Sequence, residues 1–369
     1  MPAFQPYRGK PAVRNDREGR GNDGIIRSPG SRLDPTRLRD EDGQPPHLLG
    51  RRNFLYLAAG AAALPGVSRF AWAQAYPTRP VRILVGFPPG SAPDIVARLL
   101  GQQLSDRLGQ PFVIDNRPGA SSNIATEAVV HAAPDGYTLL VVSLANVFNA
   151  TLYDKLNFDF IRDIAPIASI DRQPFVLETH PSVPARTVPE FIAYAKANPG
   201  KINMASAGAG SAPHVLGELF KTLAGVDLLH VPYRGNPLPE LLSGQVQVFF
   251  GPIQSGIEYI RTGKLRALAV TTAARSEILP DVPVLSDFVP GYEASAWLGL
   301  GAPRNTPANI VERLNRETNA SLMSPEMKAR FRDLGDTAFT SQPAEFGKLL
   351  ASETEKWGKV IRAANIKAE

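Results

Sequence analysis

The 369-residue sequence contains no cysteine. It therefore offers no thiolate to a metal ion or a redox couple, as many cytosolic metal and redox proteins do, while many exported proteins share the lack. Its main body also lacks a charge surplus. The formal net charge is +5, but Met1–Ala73 holds 12 of the 40 Lys and Arg and 7 of the 35 Asp and Glu, which accounts for all of it. After Ala73, 28 basic and 28 acidic residues cancel. A neutral body argues against nucleic-acid binding, which needs a basic face to displace phosphate counterions. Any anion held here must be held by local geometry.

Other motifs are missing as well. No P-loop is present, and Gly208-Ala209-Gly210 lacks the third glycine of a dinucleotide fingerprint. His and acidic residues nowhere show metal-ligand spacing. No metal and no cofactor are expected. After Ala73 there is neither a tandem repeat nor a low-complexity segment. The longest apolar run near the start, Phe54–Leu64, is about 11 residues, short of the ~20 that span a bilayer as a helix.

That short run has a different meaning. Arg51-Arg52-Asn53-Phe54-Leu55 opens it, Pro65-Gly66 closes it, and Ala71-Trp72-Ala73 and Ala73-Gln74-Ala75 follow. Paired arginines, a short apolar stretch and small residues two apart are the parts of an export signal of twin-arginine type. Residues 50–75 are read as that signal, cleaved near Ala73 or Ala75, with a periplasmic destination. Residues 1–49, rich in Arg, Asp, Gly and Pro, are expected to be disordered, or to reflect a true start nearer Leu48.

The remaining chain, with 43% hydrophobic residues overall, can bury more than one core. Strand and helix signals alternate from Tyr76. Strands are expected at Val81–Phe87, Phe112–Asp115, Tyr137–Val142, Ala165–Ile170, Phe175–Thr179, Ile202–Ser206, Leu228–Pro232, Val246–Phe250, Leu265–Thr271 and Trp297–Ala302. Helices are expected between Gly90 and Gly109, from Asn123 to about Ala132, and at Val188–Ala197, Ala212–Ala224, Pro307–Met323, Pro325–Leu334 and Gln342–Ala364. Such interleaving predicts parallel βαβ units and an α/β class.

One recurrence stands out. Gly90-Ser91-Ala92-Pro93 returns as Gly210-Ser211-Ala212-Pro213, each time after a strand and before a helix. Ser is a preferred N-cap and Pro fits the first helical turn; Asp94 stands where a capping box would place its acid. The two turns should present free backbone N–H groups beyond the carboxyl ends of strands, where open α/β sheets collect ligands. Every helix needs a cap, so neither turn identifies a site alone.

From Tyr76 to about Ile366 the chain resembles the substrate-binding proteins of tripartite tricarboxylate transporters, the Bug or TctC-like family. The resemblance rests on ordered segments: Tyr76-Pro77-Thr78-Arg79-Pro80, Phe87-Pro88-Pro89-Gly90 with Asp94, Asn116-Arg117-Pro118-Gly119-Ala120, Ala133-Pro134-Asp135-Gly136-Tyr137, His230-Val231-Pro232-Tyr233-Arg234-Gly235, Gly263-Lys264-Leu265-Arg266-Ala267-Leu268 and Pro290-Gly291-Tyr292-Glu293. It implies a two-lobed periplasmic-binding-protein fold of type II, a hinged clamp with two crossover strands. On this chain lobe one would be 76–177 plus 297–369 and lobe two 178–296. It further implies a small carboxylate as ligand, delivery to membrane permease subunits, and a monomer. By position the ligand would meet Pro89, Gly90, Ser91, Ala92 and Asp94, then Ser121 and Ser122, Ser143 and Asn146, then Ser206, Gly208, Ser211 and His214, with Tyr233 as one wall. The chain departs from the family pattern at Ser91, at Ser121 and Ser122 where glycines are usual, and in a shortened Asn236–Glu240 loop.

Two rival functions share these residues. A sensor that presents its liganded form to a receptor kinase would use the same pocket. A hydrolase would use Ser211 with His214, but no nucleophile elbow or separate oxyanion hole accompanies them. The expected function is capture of a di- or tricarboxylate, an aromatic carboxylate or an amino-acid relative, without catalysis.

Overall fold

Val81, Ile83, Leu84 and Val85 are buried while Arg82 is exposed, so the first strand lies inside a sheet covered on both faces. In the computed structural model, which describes residues 76–368, ten strands follow in chain order. They are β1 (Val81–Val85), β2 (Phe112–Asn116), β3 (Thr138–Ser143), β4 (Ile164–Thr179), β5 (Asn203–Ser206), β6 (Leu229–Pro232), β7 (Val248–Pro252), β8 (Arg266–Val270), β9 (Ser295–Pro303) and β10 (Thr337–Ala338). The export signal and the extension before it lie outside the described residues.

The strands form two groups that share β4. The first runs β2-β1-β3-β9-β4, with β10 on the far side of β4; β1 is parallel to β2 and β3, and β9 is antiparallel to its neighbours. The second runs β8-β4-β7-β5-β6, with β5 parallel to β6 and β7. Residues Ile164–Pro174 of β4 pair with β9, and Phe175–Thr179 pair with β7 and β8. One 16-residue strand therefore stands where two were expected. Asp171, Arg172, Gln173 and Pro174 lay between the two expected strands, and Pro cannot donate to a ladder. Here Pro174 sits opposite Ser295 at the point where β4 exchanges partners, and there the missing donor is tolerated.

Most helices form where periodicity places them, Val188–Ala197 and Ala212–Ala224 to the residue. Thr187 caps the former, its hydroxyl accepting from the Glu190 amide at 3.3 Å. Four helices were not expected: Leu144–Leu152, Phe160–Asp163, Leu238–Leu242 and Ile253–Arg261. In Leu144–Leu152, the residues Leu144, Asn146, Val147, Phe148, Asn149 and Leu152 are all buried, so no polar face marks a 3.6-residue period. Ile253–Arg261 begins directly after β7 with no loop between them.

The C-terminal helix Pro343–Ala363 fastens the core. The Phe346 ring meets Trp297 edge-on at 5.8 Å and Trp357 meets Phe148 likewise at 5.6 Å. A Cβ on Gly299 would overlap the Phe346 ring, so that glycine lets the helix lie directly on β9.

Candidate functional site

The two repeated turns close in the same way. In the first, Gly90 takes φ +81, the Ser91 amide donates to the Pro88 carbonyl at 3.2 Å, and the Ser91 hydroxyl donates to the same oxygen at 2.7 Å. In the second, Gly210 takes φ +73, and the Ser211 amide and hydroxyl donate to the Gly208 carbonyl at 3.2 and 2.7 Å. A positive φ at each glycine is conformational space that other residues enter at a cost. Neither serine side chain caps its helix, contrary to the expected capping box.

What locks each turn differs. Gly90 donates its amide to Asp94 Oδ2 at 2.8 Å; Gly210 donates its amide to His214 Nδ1 at 3.1 Å. Both acceptors lie four residues on. Burial alone would raise the Asp94 carboxyl, but hydrogen bonds from Arg98, the Gly90 amide and Asn116 hold it below its ordinary value. Asp94 is thus an ionised anchor for its turn, 2% exposed, with its oxygens already engaged. His214 is neutral: burial first, then His230 and Lys221, push it down to about 3. Its ring stacks on His230 at 3.6 Å between centroids, and His230 Nε2 lies 2.6 Å from the Ser206 hydroxyl.

The amides of Gly90, Ser91, Gly208, Gly210 and Ser211 are therefore all occupied inside the protein. The donors left over are one step further into each helix. Ala92 and Asp94 on one side, and Ala212 and His214 on the other, have backbone amides with no partner among the described residues. Pro93 and Pro213 have no amide hydrogen to offer.

Both turns open onto one cleft of about 290 Å³. Pro93 reaches it from the first turn, and Gly210, Ser211 and Ala212 from the second. Ser143, Leu144, Ala145, Phe148 and Asn149 line it from a third strand-to-helix junction, Ser121 from the loop beside it, and Phe87 from the end of β1. Gln173 and Phe175 of β4, and Ala296, Trp297 and Leu298 of β9, form its back where the two sheets meet.

Of the residues expected from sequence, Ser121, Ser143 and Ser211 line this cleft. Pro89, Gly90, Ser91 and Ala92 shape the first turn beside it without lining it. Asn146 is buried, accepting from the Ser143 amide at 2.8 Å and donating to Thr126 at 2.8 Å. Ser206 is fully buried, Gly208 accepts the Ser211 bonds, and Tyr233 packs against the cluster around Leu238 and Leu241. Ser122 is fully buried beneath Gly86. The pair considered for hydrolysis is not made, because Ser211 bonds to Gly208 and His214 to the Gly210 amide.

The unusual serines sit in unusual backbone. Gly119, Ala120, Ser121 and Ser122 have φ of 131, 45, 49 and 76 in succession. Glycines would enter this region freely, while these three non-glycine residues hold it at a steric cost. Asn149 donates to the Ser121 carbonyl at 2.7 Å and clamps the loop. Sequence reading missed Phe87, Phe148, Asn149 and Gln173. The signal was absent for Phe148 and Asn149, whose helix has no polar face, and Gln173 lay between two expected strands.

The model of the tripartite tricarboxylate transporter family receptor matches residues 96–366. Among solved structures, Rpa4515 of R. palustris with adipate is 35% identical with a TM-score of 0.70, over 79% of this chain and 99% of that one. MatC (Rpa3494) from Rhodopseudomonas palustris with bound malate is 32% identical with a TM-score of 0.66, over 78% and 100%. The periplasmic binding protein BugD is 30% identical with a TM-score of 0.66, over 80% and 100%. The fold is the two-lobed α/β arrangement of these proteins, of type II as expected. Among the described residues no helix is long and apolar enough to cross a membrane.

Proposed function

Since this chain belongs to the family of tripartite tricarboxylate transporter receptors, we propose that it is a periplasmic solute-binding protein that captures a small carboxylate between its lobes for the membrane subunits of such a transporter, without chemical change to the ligand. The lobes we assign are 76–177 with 297–369, and 178–296. The observation that carries the reading is that two turns of the same sequence border one cleft, the second lining it with Gly210, Ser211 and Ala212 and the first reaching it through Pro93.

A helix N-terminus bears about half a positive charge and oriented donors that need no rearrangement. Charge-assisted hydrogen bonds contribute roughly 1.5–3 kcal/mol each, and a micromolar site needs about 8 kcal/mol. Two donors from each turn give about 6–12 kcal/mol before the ordering cost of association, and apolar contact within the cleft adds to them. A carboxylate touching both turns binds the closed clamp better than the open one and draws the population towards closure. Adipate and malate in the related structures are both carboxylates.

Thermal-shift screening of small carboxylates against the purified mature protein tests the reading. A cognate carboxylate raises the melting temperature with concentration. If none in a broad panel does so while a neutral sugar or a cation does, the ligand class is wrong.

A further inference from the structure

Resting on that reading, we infer that the ligand carries its carboxylate on a compact hydrocarbon body, an aromatic ring above all, and that the cleft discriminates against hydroxylated polycarboxylates. The inference comes from what the cleft walls contain. None of the lining residues is Asp, Glu, Lys, Arg or His. Asp94 and His214 flank the cleft, yet both are engaged in holding their turns. No cationic side chain lines the cleft, and the helices that start after Ser143 and Ser211 turn their positive ends to it. Away from the turns, no side-chain cation waits for further carboxylates.

Ser121, Ser143, Asn149, Gln173 and Ser211 are the neutral polar side chains of the lining, and the rest of the wall is apolar. Phe87, Phe148, Phe175 and Trp297 supply four aromatic side chains, and Leu144 and Leu298 add to them. Phe148 is held by its edge-on contact with Trp357, and Phe175 by pairing with Pro252 of β7 and by the Thr271 amide, which donates to its carbonyl at 2.9 Å. A ring placed here meets aromatic partners at the offset and edge geometries that such pairs favour. A ligand hydroxyl turned towards these aromatic faces loses water and gains no partner from them. The cleft volume, about 290 Å³, lies at the small end of the range for small-molecule sites.

Isothermal titration with benzoate, hexanoate, malate and citrate, on the mature protein, decides the matter. Benzoate is expected to bind roughly tenfold or more tightly than malate or citrate, with hexanoate between. Phe87 is half-buried, so Phe87→Ala leaves the fold intact; it is expected to weaken benzoate about fivefold, while Phe87→Leu retains most of the affinity. A preference for malate or citrate overturns this inference and leaves carboxylate capture standing. Failure of all four to bind overturns the capture reading and this inference with it. Equal loss of benzoate binding in Phe87→Leu and Phe87→Ala, with unchanged melting temperature, overturns the role given to the apolar wall.

Discussion

The side-chain amide of Gln254 donates to the Asp336 carboxyl at 2.5 Å, joining the helix that leaves β7 to the residue that leads into β10. The bond therefore ties one sheet group to the other beside the strand they share. Asp171 lies close by on the same sheet face, since Ala338 stands opposite it and Asp336 is two residues from Ala338. Asp171 accepts from the Leu298 amide at 2.8 Å and from Gln173 at 3.2 Å, and both of these residues line the cleft. Burial raises both carboxyls, and the Asp171 charge raises Asp336 further.

A raised folded-state value for an acid means that folding takes up a proton. The stabilisation is complete below the ordinary carboxylate range and is lost as pH rises through the folded values. Stability should therefore fall between about pH 5 and 8, by up to about 1.4 kcal/mol per pH unit for each proton. Asp336→Asn keeps the acceptor for Gln254 and removes the like charge, so its alkaline loss should be smaller. Urea unfolding at pH 6 and pH 8.5 measures the difference; equal losses in both proteins would refute the pairing.

Glu178 sits inside the second sheet group, on β4, with neither carboxyl oxygen bonded among the described residues. Burial pushes it up to about 8. Replacing an unpaired buried acid with an apolar side chain of similar volume should stabilise by about 1–3 kcal/mol. Glu178→Met is expected to melt higher than the parent, and by more at pH 9 than at pH 6. Thermal melts at the two pH values check the order.

Gly86 lies under the left-handed loop. A Cβ there would overlap the Ser122 side chain and come within 2.6 Å of its Cα. Gly86→Ala should cost about 1–3 kcal/mol by overpacking and displace Ser121 from the cleft. Adding Ser122→Gly removes the side chain in the way and lets the backbone relax, since glycine enters this region freely. A double-mutant cycle in urea should show recovery of part of the loss.

Ala212 has a free amide at the first helical position, and Ser211 before it already has φ −69 and ψ 160, an extended conformation that a following proline accepts. Ala212→Pro thus removes one donor and breaks no existing bond. Under the proposed function it should weaken carboxylate binding roughly tenfold or more, one charge-assisted hydrogen bond, at unchanged stability. Titration calorimetry together with a thermal melt separates the two effects. A neutral result would show that the second turn does not reach the ligand.

Much of the architecture was already legible in the chain. The helix Ala212–Ala224 was bounded by a Ser-Ala-Pro start and a Gly225 stop, and both Gly-Ser-Ala-Pro turns announced themselves by repetition. These are local matters: a cap, a first-turn proline and an apolar stripe act within a few residues, so nearby sequence is enough to specify them. The site was less visible. The Asp94 carboxylate anchors its turn, and the His214 ring has the same task in the other half, roles that no local signal announced.

The sequence by itself thus determined the order of elements, the two matching turns and the family. Only the tertiary structure decided that β4 is continuous, which amides remain free, and that Phe87, Phe148, Gln173 and Phe175 meet in one cleft. The reason is physical. Local hydrogen bonds and periodicity are properties of neighbouring residues, whereas burial and cross-sheet contact arise only when segments far apart in the chain compete for the same space.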